Sequence, residues 1–172
     1  MEAFTPSKSF KSRQNKTDFL KVPPHSIEAE QSVLGGLMLD NRAWDIIADR
    51  ISENDFYRHD HRLMYRVMAK LMEQNKPLDV LTVSESLRDL HELENAGGEV
   101  YLFELANNTP TVANIAAYAD IVRERSVLRQ LIATANEIST HAYHPEGRGS
   151  TELLDTAERL VFAISQNGAR NT

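Results

Sequence analysis

The residues of this 172-residue chain that could do chemistry are its clustered histidines and carboxylates, two glycine pairs and one run of arginines. His59-Asp60-His61 and, further on, His141 with His144 and Glu146 hold the donor types of a metal site. Neighbours two apart on a helix do not face each other, and the chain has no cysteine to complete a zinc site. His59 and His61 are expected instead at the start of a helix, and His141 and His144 near a helix end, where cations suit the macrodipole. No metal is expected. Glu28 with Glu30, and Asp45 with Asp49 at i,i+4 spacing, offer paired carboxylates for acid–base work. Neither pair comes with a nucleophile motif or a partner His, and solvated helix faces carry the same pattern, so no catalytic residue is assigned. Gly35-Gly36 and Gly97-Gly98 lack the spacing and the following Lys of a GxxxxGK[ST] phosphate loop, so the chain is expected to bind no nucleotide cofactor and to hydrolyse no ATP. Arg123-Glu124-Arg125 with Arg129 reads as a solvated face or a rim of charge around an interface.

Composition narrows the partners. Residues 1–22 carry Lys8, Lys11, Arg13, Lys16 and Lys21 against Glu2 and Asp18, so of a formal charge of −6 the rest of the chain carries −9. An acidic body repels phosphate backbones, so DNA is expected to bind this region weakly if at all, and proteins are the expected partners. The basic tail reads as disordered. At 41% hydrophobic residues the chain can form an ordinary core, and the lack of cysteine agrees with a reducing cytoplasm. No apolar run reaches the roughly 18 residues of a membrane span and no secretory signal is visible, so the expectation is a soluble, cytoplasmic protein with no membrane partner.

The elements that position these residues read as all-α. Pro23 and Pro24 disfavour helix just before them, and Ser26 can cap a helix beginning at Ile27 with Glu28 in its first turn. Ile27, Val33, Leu34, Leu37 and Met38 fall near one face, with Glu28, Glu30 and Gln31 outside it. Gly35 and Gly36 each cost roughly 1 kcal/mol against Ala inside a helix, so a helix that keeps both lets another backbone approach closely; otherwise it ends at Leu34. Asn41 is expected to cap a second helix, with Trp44, Ile47, Ala48 and Ile51 on its apolar side. A third helix carries Leu63, Val67, Met68, Leu71 and Met72 and ends at Asn75, Lys76 and Pro77. Thr82 and Glu85 have capping-box spacing, which predicts a fourth helix over residues 83–90. Gly97-Gly98 precede a fifth with Tyr101, Leu102, Leu105 and Ala106 on one side, and a break at residues 107–110 closes a bundle over residues 23–110. A long helix over residues 114–141 and a last one from Thr151, joined by a loop with one Pro and two Gly, form an antiparallel hairpin over residues 111–168.

The block VPPHSIEAEQSVLGGLMLD at residues 22–40 closely resembles the start of the N-terminal domain of the bacterial replicative DNA helicase, the DnaB family. The resemblance continues through Ala43-Trp44, NDFY at 54–57, Glu85-Ser86, Gly97-Gly98, YLFELANNTP at 101–110 and AYADIVRERSVLRQLI at 117–132, and runs from about Lys21 to about Gln166. It implies that the ATP-dependent motor, with its ATP and Mg, is a separate domain outside this sequence. It also implies that hairpins of neighbouring subunits pair, that dimers assemble as a trimer of dimers into a hexamer, and that the collar so formed docks the C-terminal helicase-binding domain of primase.

The hairpin stripe is too wide for one seam: Ile121, Val127 and Leu131 extend it beyond what a single partner helix covers. The excess needs a second partner, either the bundle of the same chain or another copy of the chain; the resemblance implies another copy, and with it the roles of self-association and primase docking fall on Ile121, Val122, Leu128, Leu131, Ile132, Leu153, Leu160, Val161 and Ile164, while close helix packing is assigned to Gly35 and Gly36. A free-standing helical adaptor or dimerisation protein, and more remotely a small metal-dependent enzyme, are the alternatives that the residues by themselves leave open.

Overall fold

Ser26 opens the first helix from an extended backbone (φ −140°), its hydroxyl accepting from the Ala29 amide at 3.2 Å. In the computed structural model, which describes residues 21–109 and 111–169, this helix, α1, spans Ile27–Leu39 and runs through both glycines. Pro110 and all but the last two residues of the basic tail lie outside the described residues. A short helix α2 follows at Ala43–Ile47. Asn41 does not cap it. Its amide donates to the carbonyls of Leu37 (2.9 Å) and Leu78 (2.7 Å), and its side-chain oxygen accepts from the Leu78 amide (2.8 Å), so it serves residue 78 as a strand neighbour would.

A 3-10 turn at Glu53–Asp55 leads to α3 at His59–Glu73, so His59 and His61 do stand at a helix start. The Asn75 backbone is left-handed (φ 57°) beyond the end of α3, and the Lys76 amide bonds the Leu71 carbonyl at 2.9 Å, which occupies an orphan carbonyl of the last turn. The next helix, α4, spans Val80–Asp89 and begins a turn earlier than the Thr82–Glu85 spacing predicts. Asp79 is the cap: its carboxylate accepts from the Thr82 amide at 2.8 Å and the Thr82 hydroxyl accepts from the Asp79 amide at 3.0 Å. The earlier start directs Val83 and Leu87 into the core. Gly97, at φ 94°, stands before α5 at Gly98–Asn108.

Two long helices complete the chain, α6 at Ile115–Tyr143 and α7 at Ser150–Ala169, and no strand occurs among the described residues. The core is contiguous. Val33, Leu34 and Leu37 of α1 are fully buried with Phe56, Met64, Met68, Val83, Leu87 and Leu102, and each such side chain contributes roughly 1.5–3 kcal/mol on burial. Helix α1 packs against both α5 and α6. Of α6, only the first part belongs to this core, through Ile115, Ala119 and Val122; the packing therefore changes inside α6, after Ser126, and not at the break near residue 110. Ser126 is the last buried residue of α6, Arg129 makes the last hydrogen bonds to the bundle, and beyond it the helix packs with α7 as an antiparallel hairpin, Asn167 returning to the level of Ser126 and Gln130.

Candidate functional site: the exposed hairpin and its root

The crossing that sets α1 against its neighbours is made by the glycines. A Cβ on Gly35 would lie 2.0 Å from Thr109 Oγ1 and 2.3 Å from the Leu105 carbonyl oxygen, and one on Gly36 2.9 Å from Ile115 Cδ1. α5 and the start of α6 can approach this closely only where no side chain intervenes. That contact holds the base of the hairpin.

A second anchor is Asp55, 2% exposed in the 3-10 turn. One carboxylate oxygen accepts from Ser126 Oγ (2.7 Å) and Arg123 Nη1 (3.0 Å), the other from the Ser52 amide (2.8 Å). Arg129 spans the same gap: Nη1 donates to the Pro24 carbonyl and Nη2 to the Asp55 carbonyl, both at 2.7 Å, and its guanidinium lies 5.4 Å from the centre of the Tyr57 ring. Desolvation lowers the pKa of Arg129 from its ordinary value, against the pull of Glu30 and Asp55. Arg123 and Arg129 are thus not a solvated face. They fasten the long helix to the bundle and line a cavity of about 600 Å³ at the hairpin root with Ser52, Asn54, Gln130 and Asn167.

Glu30 also departs from the expected solvated position. It is 1% exposed, because its partners come from 27 to 31 residues away: the Tyr57 amide at 2.9 Å, the Arg58 amide at 3.4 Å and His61 Nδ1 at 2.8 Å. With the proton on Nδ1, facing the carboxylate, Nε2 is free to accept from Tyr101 Oη at 2.7 Å, and Tyr101 in turn accepts from Gln31 at 3.2 Å. Burial raises the Tyr101 hydroxyl pKa, while the Gln31 hydrogen bond opposes the shift. A Glu–His–Tyr chain has the parts of a proton relay, but His61 is fully buried and no reactant reaches its ring. Here it joins α1, α3 and α5. His59 is exposed, apart from His61, and His141 lies 4.0 Å from Glu137. Among the described residues no three His, Asp or Glu side chains converge to hold a metal.

The hairpin is different in kind. Ile121, Leu131, Ile132 and Val161 are exposed, with Leu154 and Phe162 at 63% and 62%. Leu128, Leu153 and Leu160 are half-buried. Leu154, Ala157, Val161 and Phe162 line an apolar groove of about 510 Å³ on α7. Two of the nine expected interface residues belong elsewhere. Val122 is 1% exposed, because it shares with Ile115, Ala119 and Ser126 the face of α6 that enters the bundle; Ile164 is also buried, near the root. Leu154 and Phe162 take their place on the open face. Phe162 carries a sequence signal, its adjacency to Val161, that widens the α7 stripe.

Comparisons with known proteins agree with this architecture. Residues 22–124 match the DnaB-like helicase N-terminal domain family. The replicative DNA helicase DnaB of Haemophilus influenzae is 49% identical over 156 residues, covering 91% of this chain and 33% of that protein. The crystal structure of the N-terminal domain of DnaB helicase from Mycobacterium tuberculosis superposes with a TM-score of 0.79 at 34% identity, over 83% of this chain and 99% of that one. The N-terminal domain of DnaB helicase from Helicobacter pylori, described with its interactions with primase, gives a TM-score of 0.59 at 23% identity, over 80% of this chain and 100% of that one, a likeness of fold. The chain spans about a third of the length of the curated relatives it matches. With more than half its length matched to that one family, and the same fold, the chain belongs to the DnaB-like helicase N-terminal domain family.

Proposed function

We propose that this chain is the assembly and primase-docking part of a replicative DNA helicase, acting in the cytoplasm, whose ATP- and Mg-dependent unwinding of DNA resides in sequence outside it. The observation that carries the proposal is the exposed apolar face of the hairpin, from Leu131 and Ile132 across to Leu154, Val161 and Phe162. Leu154, Val161 and Phe162 share one open groove on α7, and covering such apolar surface contributes roughly 25 cal/mol per Å² before the costs of association. Paired hairpins, arranged as a trimer of dimers within a hexamer, bury it and create composite surfaces that one chain lacks. Primase held there by its C-terminal domain stays near the unwound strand, its effective concentration raised by tethering. The primase described with the Helicobacter pylori relative is a partner of this class.

Neither glycine pair has the form of a phosphate loop. The chain lacks a GxxxxGK[ST] loop, Gly35-Gly36 are filled by a helix crossing, and Gly97 abuts Tyr101, whose Cδ1 lies 2.8 Å from where a Cβ would stand. Light scattering of the chain at micromolar concentration is expected to give dimers or larger species, and Leu131→Asp with Phe162→Asp to weaken self-association and primase titration together while helical content is kept. A chain that remains monomeric, or variants that bind themselves and primase unchanged, would overturn the proposal.

A further inference from the structure

Arg129 is a half-buried cation without a counter-ion. Its guanidinium touches the Pro24 and Asp55 carbonyls and the Tyr57 ring, and no carboxylate among the described residues stands within ion-pair distance of it. Glu30 and Asp55 pull on it from farther off, yet desolvation outweighs them and lowers its pKa. Arg123, in the same cavity wall, donates from Nη1 to Asp55, whose oxygens also accept from Ser126 Oγ and the Ser52 amide. Its Nη2 is buried and has no hydrogen-bond partner. Each guanidinium carries five N–H groups, of which Arg129 uses two within the chain and Arg123 one. Asp55 is the only carboxylate in the wall, so two guanidiniums against one carboxylate, +2 against −1, leave the cavity a net charge of +1. Charge held away from water is costly until it is paired.

The rest of the wall can donate as well. Asn54 and Asn167 have side-chain amides that make no hydrogen bond among the described residues, and Gln130 gives one to Ser126 Oγ at 3.2 Å. Ala133 is the only apolar side chain in the lining, and the Tyr57 ring is already engaged by Arg129 and by His25, at 4.3 Å between ring centres. A nucleobase or a hydrocarbon chain thus finds nothing to stack on, whereas guanidinium forks match the paired oxygens of carboxylate and phosphate. The volume, about 600 Å³, is many times the roughly 30 Å³ share of one water, so more than a single small ion fits.

We propose that the root cavity binds a compact, multivalent oxyanion, one bearing two or more phosphate or carboxylate groups, held by Arg123 and Arg129 with the amides of Asn54 and Asn167 at its sides. Every wall residue comes from one chain, so the site requires neither a second copy nor primase. Asn54 stands in the 3-10 turn, the two arginines on α6 and Asn167 on α7, so the ligand ties the bundle to both arms of the hairpin. Without it α7 packs chiefly on α6.

The test is calorimetric titration of the whole chain with pyrophosphate and, separately, with citrate, at fixed ionic strength. Saturable binding of at least one of them, one per chain, is expected. Asn54→Asp and Asn167→Asp each set a carboxylate of the chain's own in the cavity and are expected to weaken binding about tenfold or more. Asn107→Asp makes the same charge change on an exposed residue outside the cavity and is expected to stay within about twofold, since solvent screens it. Asn54 and Asn167 are exposed, and unchanged helical content verifies the fold of each variant. Binding of pyrophosphate alone identifies the ligand as phosphoryl, of citrate alone as carboxylate, and of both as an oxyanion of either kind; each supports the site. No saturable heat with either anion, or affinity unchanged in both cavity variants, overturns it.

Discussion

The bundle and the hairpin use the same residue types to opposite ends. In the bundle, leucine and methionine from four helices converge with Phe56 and Leu78 from the segments between them, until Leu34, Leu37, Met64, Met68 and Leu102 are out of contact with water. In the hairpin, two helices face only each other, and Leu131, Ile132, Leu154, Val161 and Phe162 remain in solvent. Two cylinders share one line of contact, so a stripe wider than one seam cannot be covered by a single neighbour. The polar groups differ as well. Buried Glu30, Asp55 and His61 are each engaged by two or more partners, whereas Glu146 at the hairpin tip has none among the described residues. An amphipathic helix says only that it needs a partner; how many helices surround it decides whether that partner is in the same molecule.

That contrast can be broken by mutation. Leu34→Ala or Met68→Ala should cost about 2–5 kcal/mol in a urea titration, since each leaves a cavity in close-packed surroundings. Asp55→Ala should cost about 3 kcal/mol by the same measurement, because Arg123 is left largely buried without its counter-charge. Gly35→Ala sharpens the comparison: helix propensity alone predicts a gain of about 1 kcal/mol, whereas the contact with the Leu105 carbonyl predicts a loss of about 1–3 kcal/mol, and the sign decides between them. Ser26→Ala should lose about 1 kcal/mol as the Ala29 amide loses its acceptor. Smallest of all, Phe162→Ala should shift the unfolding of dilute, dissociated chain by less than about 0.5 kcal/mol, as for other surface sites, while lowering association measured by light scattering. A loss as large as that of Leu34→Ala would place Phe162 in the chain's own core.

Local chemistry made much of this legible. Ser26 before Ile27, the apolar run of α3 and the loop with Pro145, Gly147 and Gly149 each state a boundary or a face within a few residues of sequence. What stayed hidden depended on distance along the chain or on competition between equal signals. Glu30 looks solvated because its ligands at Tyr57, Arg58 and His61 belong to another helix and the turn before it. Asp79-x-x-Thr82 and Thr82-x-x-Glu85 are overlapping caps, and the earlier one wins since it adds a turn of helix. Asn41 has a helix-capping side chain but is spent on Leu78, a partner no spacing rule points to. Val122 and Leu131 both belong to the α6 apolar pattern, but nine residues apart they lie on opposite sides of the helix, and the side of Val122 is the one that enters the bundle. The exposed hairpin face was visible as excess apolar width, but which residues formed it required knowing where α6 leaves the core.

Helix α6 has neither glycine nor proline along its 29 residues, and its first turns are wedged beneath Gly36 while its later ones project outward. It therefore behaves as a cantilever with no joint at the wall. With no glycine or proline to kink the arm, a push on the far loop would be delivered as torque to the crossing at α1. In an assembly of such arms, symmetry would be inherited from a rigid bracket and changes of shape would have to occur between subunits.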